Sequence, residues 1–452
     1  MIPVEVFRDA AERYGYILAS SYNTASDDAV EPDIEAIRTL WRDTHERFRI
    51  DARRVYMAGF SGEARVACLM ADAVRGAVTG VIACGAGFSP ASPPRRGMDF
   101  ILFGAVGNTD FNHDEMMRLD ATLDGLDAVH RIEVFDGGHG WPPAEICTEA
   151  VEWMELHAMK EGGRERDRSL IETLYAARLE EARQAETSKA VYDAYHRYRT
   201  LSQDFAGLTD IGEAEGKVTA FEASKELEDV LKERQKRLER DGDYLEHASD
   251  SFARLSPDDP MALGKALGQL RIGSLKKKAA DTSDVEEGLS AQRRLESVFV
   301  QTSFYVPRRL FEQKDYERAI LSLSIAAKIK PESAYVWFSL ARAQALIGRK
   351  GNAVKSLERA VEVGLTDADL IKENADLESL RDHKGFRRLI QALENNQRDR
   401  DLADERQPNL PPGGHRQLQP KDFGLNEPEH VHVRREGSIC KFWLERHVEW
   451  TC

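Results

Sequence analysis

The spacing of apolar positions changes near residue 160, and the change divides the chain. Before it, short apolar runs alternate with amphipathic stretches. The runs 16–21 (YILASS), 55–58 (VYMA), 78–84 (VTGVIAC), 99–106 (DFILFGAV) and 129–135 (VHRIEVF) predict strands. Helical spacing covers 4–13, 33–48, 63–75, 112–123 and 142–159; in the second of these Ile34, Ile37, Leu40 and Trp41 share a face. Apolar strands separated by amphipathic helices imply a parallel sheet covered on both sides. An α/β domain is therefore expected over residues 1–160.

Beyond 163 the period of two disappears. Helices are expected over 167–206, 213–240, 261–278, 285–312, 316–329, 334–347 and 350–362, rich in Ala, Leu, Glu, Lys and Arg. The charged stretch 225–240 suits a solvated helix with pairs four residues apart. Residues 163–299 are read as a connecting helical region. Within 300–395 a repeat emerges: Ala319, Leu323 and Ala326 recur as Ala353, Leu357 and Ala360, each 34 residues on. Trp337, Leu340 and Ala341 precede Gly348, and Pro331 closes the first unit. This spacing resembles the tetratricopeptide repeat, with 364–393 resembling the helical cap that follows such arrays. The resemblance implies a peptide or protein partner at the repeats. Residues 396–425 are polar with proline and glycine, which predicts a disordered linker. Residues 426–452 alternate around Glu436-Gly437 as a hairpin fragment, and resemble the core of a small bacterial domain of unknown function.

Composition narrows the function. A net charge of −15 argues against non-specific binding to nucleic acid or anionic membranes. No apolar run reaches the roughly 18 residues of a membrane span, and the N-terminus shows no signal-peptide pattern, so a cytoplasmic location is expected for the chain as given. The five cysteines (Cys68, Cys84, Cys147, Cys440, Cys452) lack metal or disulfide spacing. His113, Asp114 and Glu115 are consecutive and cannot all face one ion, and His430 and His432 would share one strand face, which leaves a metal there as a minor alternative. No metal and no cofactor is expected.

Candidate chemistry lies at the ends of the predicted strands. Gly59-Phe60-Ser61-Gly62-Glu63 follows the run 55–58 and matches Gly-x-Ser-x-Gly except at its last position. Asp110 follows the run 99–106, and His139 follows 129–135 within Gly137-Gly138-His139-Gly140-Trp141-Pro142. A serine hydroxyl needs a base to become nucleophilic, and the base needs an acid to orient it. Without such partners Ser61 is a turn residue, His139 a loop histidine and Asp110 a helix cap. Asp136 is a rival acid, three residues from His139.

In DARRVYMAGFSGEAR, GNTDFNHDEM and FDGGHGWP the first 160 residues resemble the α/β-hydrolase family, especially its polyester-depolymerase and feruloyl-esterase-like members. The resemblance implies a serine hydrolase acting on carboxylic esters through an acyl-enzyme. Ser61 would be nucleophile, His139 base and acid, Asp110 the orienting carboxylate, and the Gly62 N–H an oxyanion donor. The alternative is an inactive hydrolase-like scaffold acting through its repeats. Two departures stand out. Glu63 replaces the last glycine. Residues 4–13 and 16–21 correspond to the first large helix and the fourth strand, so the third strand and the oxyanion loop would lie upstream of Met1. The reading frame is thus expected to be a shortened form of a longer parent, with an incomplete sheet in which 16–21 pairs with 55–58 or leaves an edge exposed.

Overall fold

The computed structural model describes residues 3–21, 30–405 apart from 255 and 258, and 430–443 apart from 436 and 437. Backbone contacts divide the chain into two units, Met1–Arg240 with Phe423–Cys452, and Asp241–Asp422.

In the first unit α1 (Pro3–Tyr14), β1 (Ala19–Ser20) and α2 (Val30–Arg47) precede β2 (Tyr56–Phe60) and α3 (Gly62–Ala73). Then follow β3 (Gly80–Cys84), β4 (Ile101–Gly107), α4 (His113–Gly125), β5 (His130–Phe135) and α5 (Ala144–Lys160). The sheet is parallel, in the order β2-β3-β4-β5. Alternation along its strands explains why both faces are apolar. Val81, Ala83, Leu102 and Val106 meet Ala64, Ala67 and Ala71 of α3 and Met116, Leu119 and Leu123 of α4. Their neighbours Ile82, Cys84, Phe103 and Ala105 meet Val6 and Phe7 of α1 and Cys147, Trp153 and Met154 of α5. Cys68, Cys84 and Cys147 are buried free thiols, and burial pushes Cys68 and Cys147 up to about 12.

Of the two arrangements expected for 16–21, pairing with 55–58 does not form among the described residues. Only Ala19–Ser20 is strand, and it pairs antiparallel with β7 (Ser438–Trp443), which pairs in turn with β6 (His430–Arg435). That leaves β2 at the edge of its sheet among the described residues. Beside it opens a cleft of ≈ 790 Å³.

The first unit does not stop at residue 160. The C-terminal half of α5 supplies Leu156 and Met159 to a core made with α6 (Arg168–Thr187), α7 (Val191–Phe205) and α8 (Gly212–Glu222). Two sets of buried charges bind this layer. Arg131 of β5 donates to Asp204 of α7 at 2.7 Å and to Glu133 at 2.6 Å, and also meets Glu149. Asp204 further accepts from Trp153 Nε1 at 2.8 Å. Glu155, fully buried on α5, takes Arg54 Nη2 at 2.7 Å and also meets Tyr16 and Arg164.

His157 lies in the same layer, its ring 4.3 Å from Trp153. Burial, then the charge of Lys160, lowers its pKa from 6.5 to about 4. The unfolded chain therefore binds a proton that the folded chain refuses between those values. Stability is expected to fall as pH drops from 6.5 through 4, by about 3 kcal/mol in total from this group. Urea midpoints across that range, compared with His157→Gln, check it; the variant should lose that part of the slope.

Helix α9 (Lys225–Ala253) ends in the second unit, where α10 (Ala262–Gln269), α11 (Ile272–Ala279) and α12 (Val285–Val300) precede α13 (Val306–Glu312), α14 (Tyr316–Ile329), α15 (Ala334–Leu346) and α16 (Lys350–Glu362). A π-turn, Gln301–Tyr305, joins α12 to α13. Its cause is Pro307, which has no N–H for the Ser303 carbonyl and crowds it. Ser322 Oγ donates to the Thr302 carbonyl at 3.0 Å in the buried interior. All six small or leucine positions of the 34-residue pattern are fully buried. Helix α17 (Ala368–Glu373), a 3₁₀ turn (Ala375–Leu380) and α18 (Lys384–Glu405) follow, with Ile371, Leu377, Leu380 and Phe386 closing one core. The first ten residues of the expected linker continue α18; 406–429 lie outside the described residues. No helix among the described residues is long and apolar enough to cross a membrane.

Candidate active site

The turn after β2 places Ser61 in a backbone conformation of φ 56° and ψ −118°. For a residue with a Cβ this is strained, and surrounding structure has to enforce it. Ser61 N–H donates to the Cys84 carbonyl at 2.8 Å, and its own carbonyl accepts Ala64 N–H at 3.1 Å. The turn also brings the backbone of α3 back onto β2. A Cβ on Gly59 would lie 2.4 Å from the Glu63 carbonyl carbon and oxygen, so only glycine fits there. The missing last glycine is tolerated for a different reason. Glu63 lines the cleft beside β2, where a side chain has room.

Asp110 and His139 arrive on loops from the ends of β4 and β5. These loops are laced together. Asn108 N–H donates to the Phe135 carbonyl at 2.8 Å, and Thr109 N–H and Oγ1 donate to the Gly137 carbonyl at 3.0 and 2.9 Å. Asn108 Nδ2 meets Asp136 Oδ1 at 3.0 Å, and Gly137 N–H meets Asn108 Oδ1 at 3.2 Å. The approach depends on Gly107, where a Cβ would stand 2.3 Å from the Gly137 oxygen and 2.5 Å from the Gly138 oxygen. Gly107→Ala is expected to push the histidine loop away. We expect about 2 kcal/mol of lost stability and about a hundredfold loss of any rate that needs His139 in place. Thermal unfolding and single-turnover acylation check this.

These constraints bring three side chains into one hydrogen-bonded line. His139 Nε2 is 2.9 Å from Ser61 Oγ, and His139 Nδ1 is 2.9 Å from both carboxylate oxygens of Asp110. Asp110 is fully buried, and its Oδ1 also accepts Asn112 N–H at 2.8 Å. With Nδ1 donating to the Asp110 carboxyl oxygens, Nε2 is the ring nitrogen left to accept from the serine hydroxyl. The rings of Phe111 and Phe60 flank His139 at 4.2 and 4.6 Å. Asp136 is occupied by Asn108 rather than by His139.

Gly62 opens α3, where first-turn N–H groups have no intrahelical acceptor. His113 and Asp114 pair with each other at 3.1 Å. No group of three or more His, Cys, Asp or Glu that could hold a metal occurs among the described residues. A hollow of ≈ 610 Å³ lies along residues 135–144, next to His139.

Sequence reasoning missed Asn108, Thr109 and Asn112. Asn112 Nδ2 donates to the Gly85 carbonyl at 2.7 Å, tying the Asp110 loop to the end of β3. They carry no reacting group, and the Gly-Asn-Thr-Asp run was their one signal. No family model, no curated protein and no solved structure matches the chain.

Proposed function

We propose that the first unit is a serine hydrolase of carboxylic esters with an α/β-hydrolase-like site. The observation that carries the reading is the continuous Ser61–His139–Asp110 line, with the serine held at positive φ. His139 Nε2 takes the Ser61 proton as Oγ attacks the ester carbonyl. The oxyanion of the tetrahedral adduct faces the α3 N-terminus, where the Gly62 N–H donates. The adduct collapses, His139 returns the proton to the leaving alkoxide, and an acyl-serine remains. Water, deprotonated by the same imidazole, releases the acid and restores Ser61. Asp110 fixes the tautomer and stabilises the imidazolium in both half-reactions.

Treatment with a fluorophosphonate followed by intact-mass and peptide mapping tests the reading. One adduct on Ser61, absent from His139→Ala, is expected. A second reading is a non-catalytic scaffold in which tetratricopeptide-like helices hold a protein partner; the burial of all six repeat positions in α14 and α16 supports the repeat-like helix packing that this reading needs. Folded protein that neither labels nor turns over esters would select that reading.

A further inference from the structure

Two phenylalanines stand beside the His139 imidazole, and packing accounts for only one of them. Phe60 packs against the core between the sheet, α1 and α5. Its ring lies 5.6 Å from that of Trp141, and a Cβ on Gly85 would stand 2.8 Å from its Cε2. These contacts explain an apolar ring at position 60 without any role for His139. Phe111 is different. It is partly buried, on the loop between β4 and α4. Among the described residues it joins neither of the two cores that flank the sheet. Its one ring contact there is His139, with centroids 4.2 Å apart and planes tilted by 40°.

The loop holds that ring in place from both sides. Asp110, before it, meets His139 Nδ1 with both carboxyl oxygens. Asn112, after it, donates its N–H to Asp110 Oδ1 at 2.8 Å and its Nδ2 to the Gly85 carbonyl at 2.7 Å. Hydrogen bonds of its neighbours, rather than an apolar core, therefore fix where the Phe111 ring sits. A partly exposed ring outside a core buries little area and adds little stability of its own. What it offers is a π face beside a group that becomes charged. Neutral imidazole gains little from such a face. A cation within about 6 Å of the ring centroid is attracted by the ring quadrupole. That attraction appears when His139 takes the Ser61 proton and vanishes when the proton is passed on. An interaction present only near the transition state lowers the barrier and leaves ground-state binding alone.

We propose that Phe111 is a positioning residue that acts through His139: its ring stabilises the imidazolium formed in both half-reactions. The inference rests on the reading of Ser61, His139 and Asp110 as a hydrolytic triad. It assigns Phe111 no contact with substrate.

The test uses the full chain, p-nitrophenyl butyrate, and the variants Phe111→Tyr, Phe111→Leu and Phe111→Ala, each checked for folding by circular dichroism and thermal midpoint. In Phe111→Leu, kcat and kcat/KM are expected to fall together by about three- to tenfold with KM unchanged. Both half-reactions pass through the imidazolium, so the loss shows whichever of them limits the rate. Phe111→Tyr keeps the π face and should keep the parent's kcat. Phe111→Ala, which also uncovers the imidazole, should fall at least as far as Phe111→Leu. Three results would overturn the proposal: Phe111→Leu at the parent's rate, a raised KM with kcat unchanged, which makes the ring a substrate wall, or Phe111→Tyr falling as far as Phe111→Leu. Fluorophosphonate labelling separates these from failure of the hydrolase reading. A parent that neither labels at Ser61 nor turns over ester overturns that reading and this inference with it. A labelled, active parent with any of the three results overturns this inference alone.

Discussion

Replacing Ser61 by alanine is expected to lower turnover of p-nitrophenyl butyrate by about 10⁴- to 10⁶-fold, to the background of the buffer-catalysed reaction. The size follows from the geometry. Ser61 Oγ is the atom that His139 Nε2 meets at 2.9 Å, and among the described residues no other hydroxyl bonds that nitrogen. Removing it removes the proposed acyl-enzyme route rather than weakening it. His139→Ala should fall nearly as far, and the double variant no further than either single one, because the two groups act in one step. Asp110→Asn should keep the fold yet lose most activity, since an amide can hold the imidazole in the wrong tautomer. Residual turnover in Ser61→Ala equal to the parent would place the activity elsewhere and remove the proposed mechanism.

The second large effect concerns stability. Asp204→Ala is expected to cost about 3–5 kcal/mol, the range for breaking a buried ion pair from one side. Asp204 is buried and accepts from Arg131 at 2.7 Å, Trp153 at 2.8 Å and Arg178 at 3.4 Å. Burial disfavours the charged Arg131, but Glu133, Glu149 and Asp204 outweigh it and hold the guanidinium's pKa above its usual range. Alanine leaves the Arg131 charge less balanced and the Trp153 N–H without its acceptor. Asp204→Asn keeps a Trp153 partner and should cost less. Urea unfolding followed by tryptophan fluorescence separates the two, with a lower midpoint for alanine. Because Asp204 belongs to α7 and Arg131 to β5, the loss also tests whether the α6–α8 layer folds with the sheet.

That joint between layers is where pattern reading stops short. A change of apolar period near 160 marks where the parallel sheet is complete, and its last strand, β5, does end before that point. It says nothing of which core the next helices join. Leu156 and Met159 read as the end of one amphipathic helix, yet α5 serves two cores along its length, and long-range partners such as Arg131 and Asp204 leave no local trace. Helix breaks show the same limit. The stretch 167–206 reads as one helix, but it stops at Thr187 and resumes at Val191, with Lys189 at φ 59°. No glycine or proline marks that break; Ala190 N–H bonding back to the Ala185 carbonyl closes it. Pro307 does mark the π-turn in 285–312, because its missing N–H is a local fact.

Sequence alone fixed what depends on residue type and local order. The parallel α/β pattern, the helical second half, the 34-residue recurrence and the order Ser61, Asp110, His139 all rest on side-chain chemistry and short periods. Tertiary structure decided whether three loops far apart in the chain meet, and they meet because Gly59 and Gly107 admit backbone contacts that no Cβ would survive. It also decided that β2 is an edge beside a cleft rather than a strand paired with 16–21. Strand partners are chosen by contacts between distant segments, and the pattern within one strand reads the same whether its outer edge is paired or open.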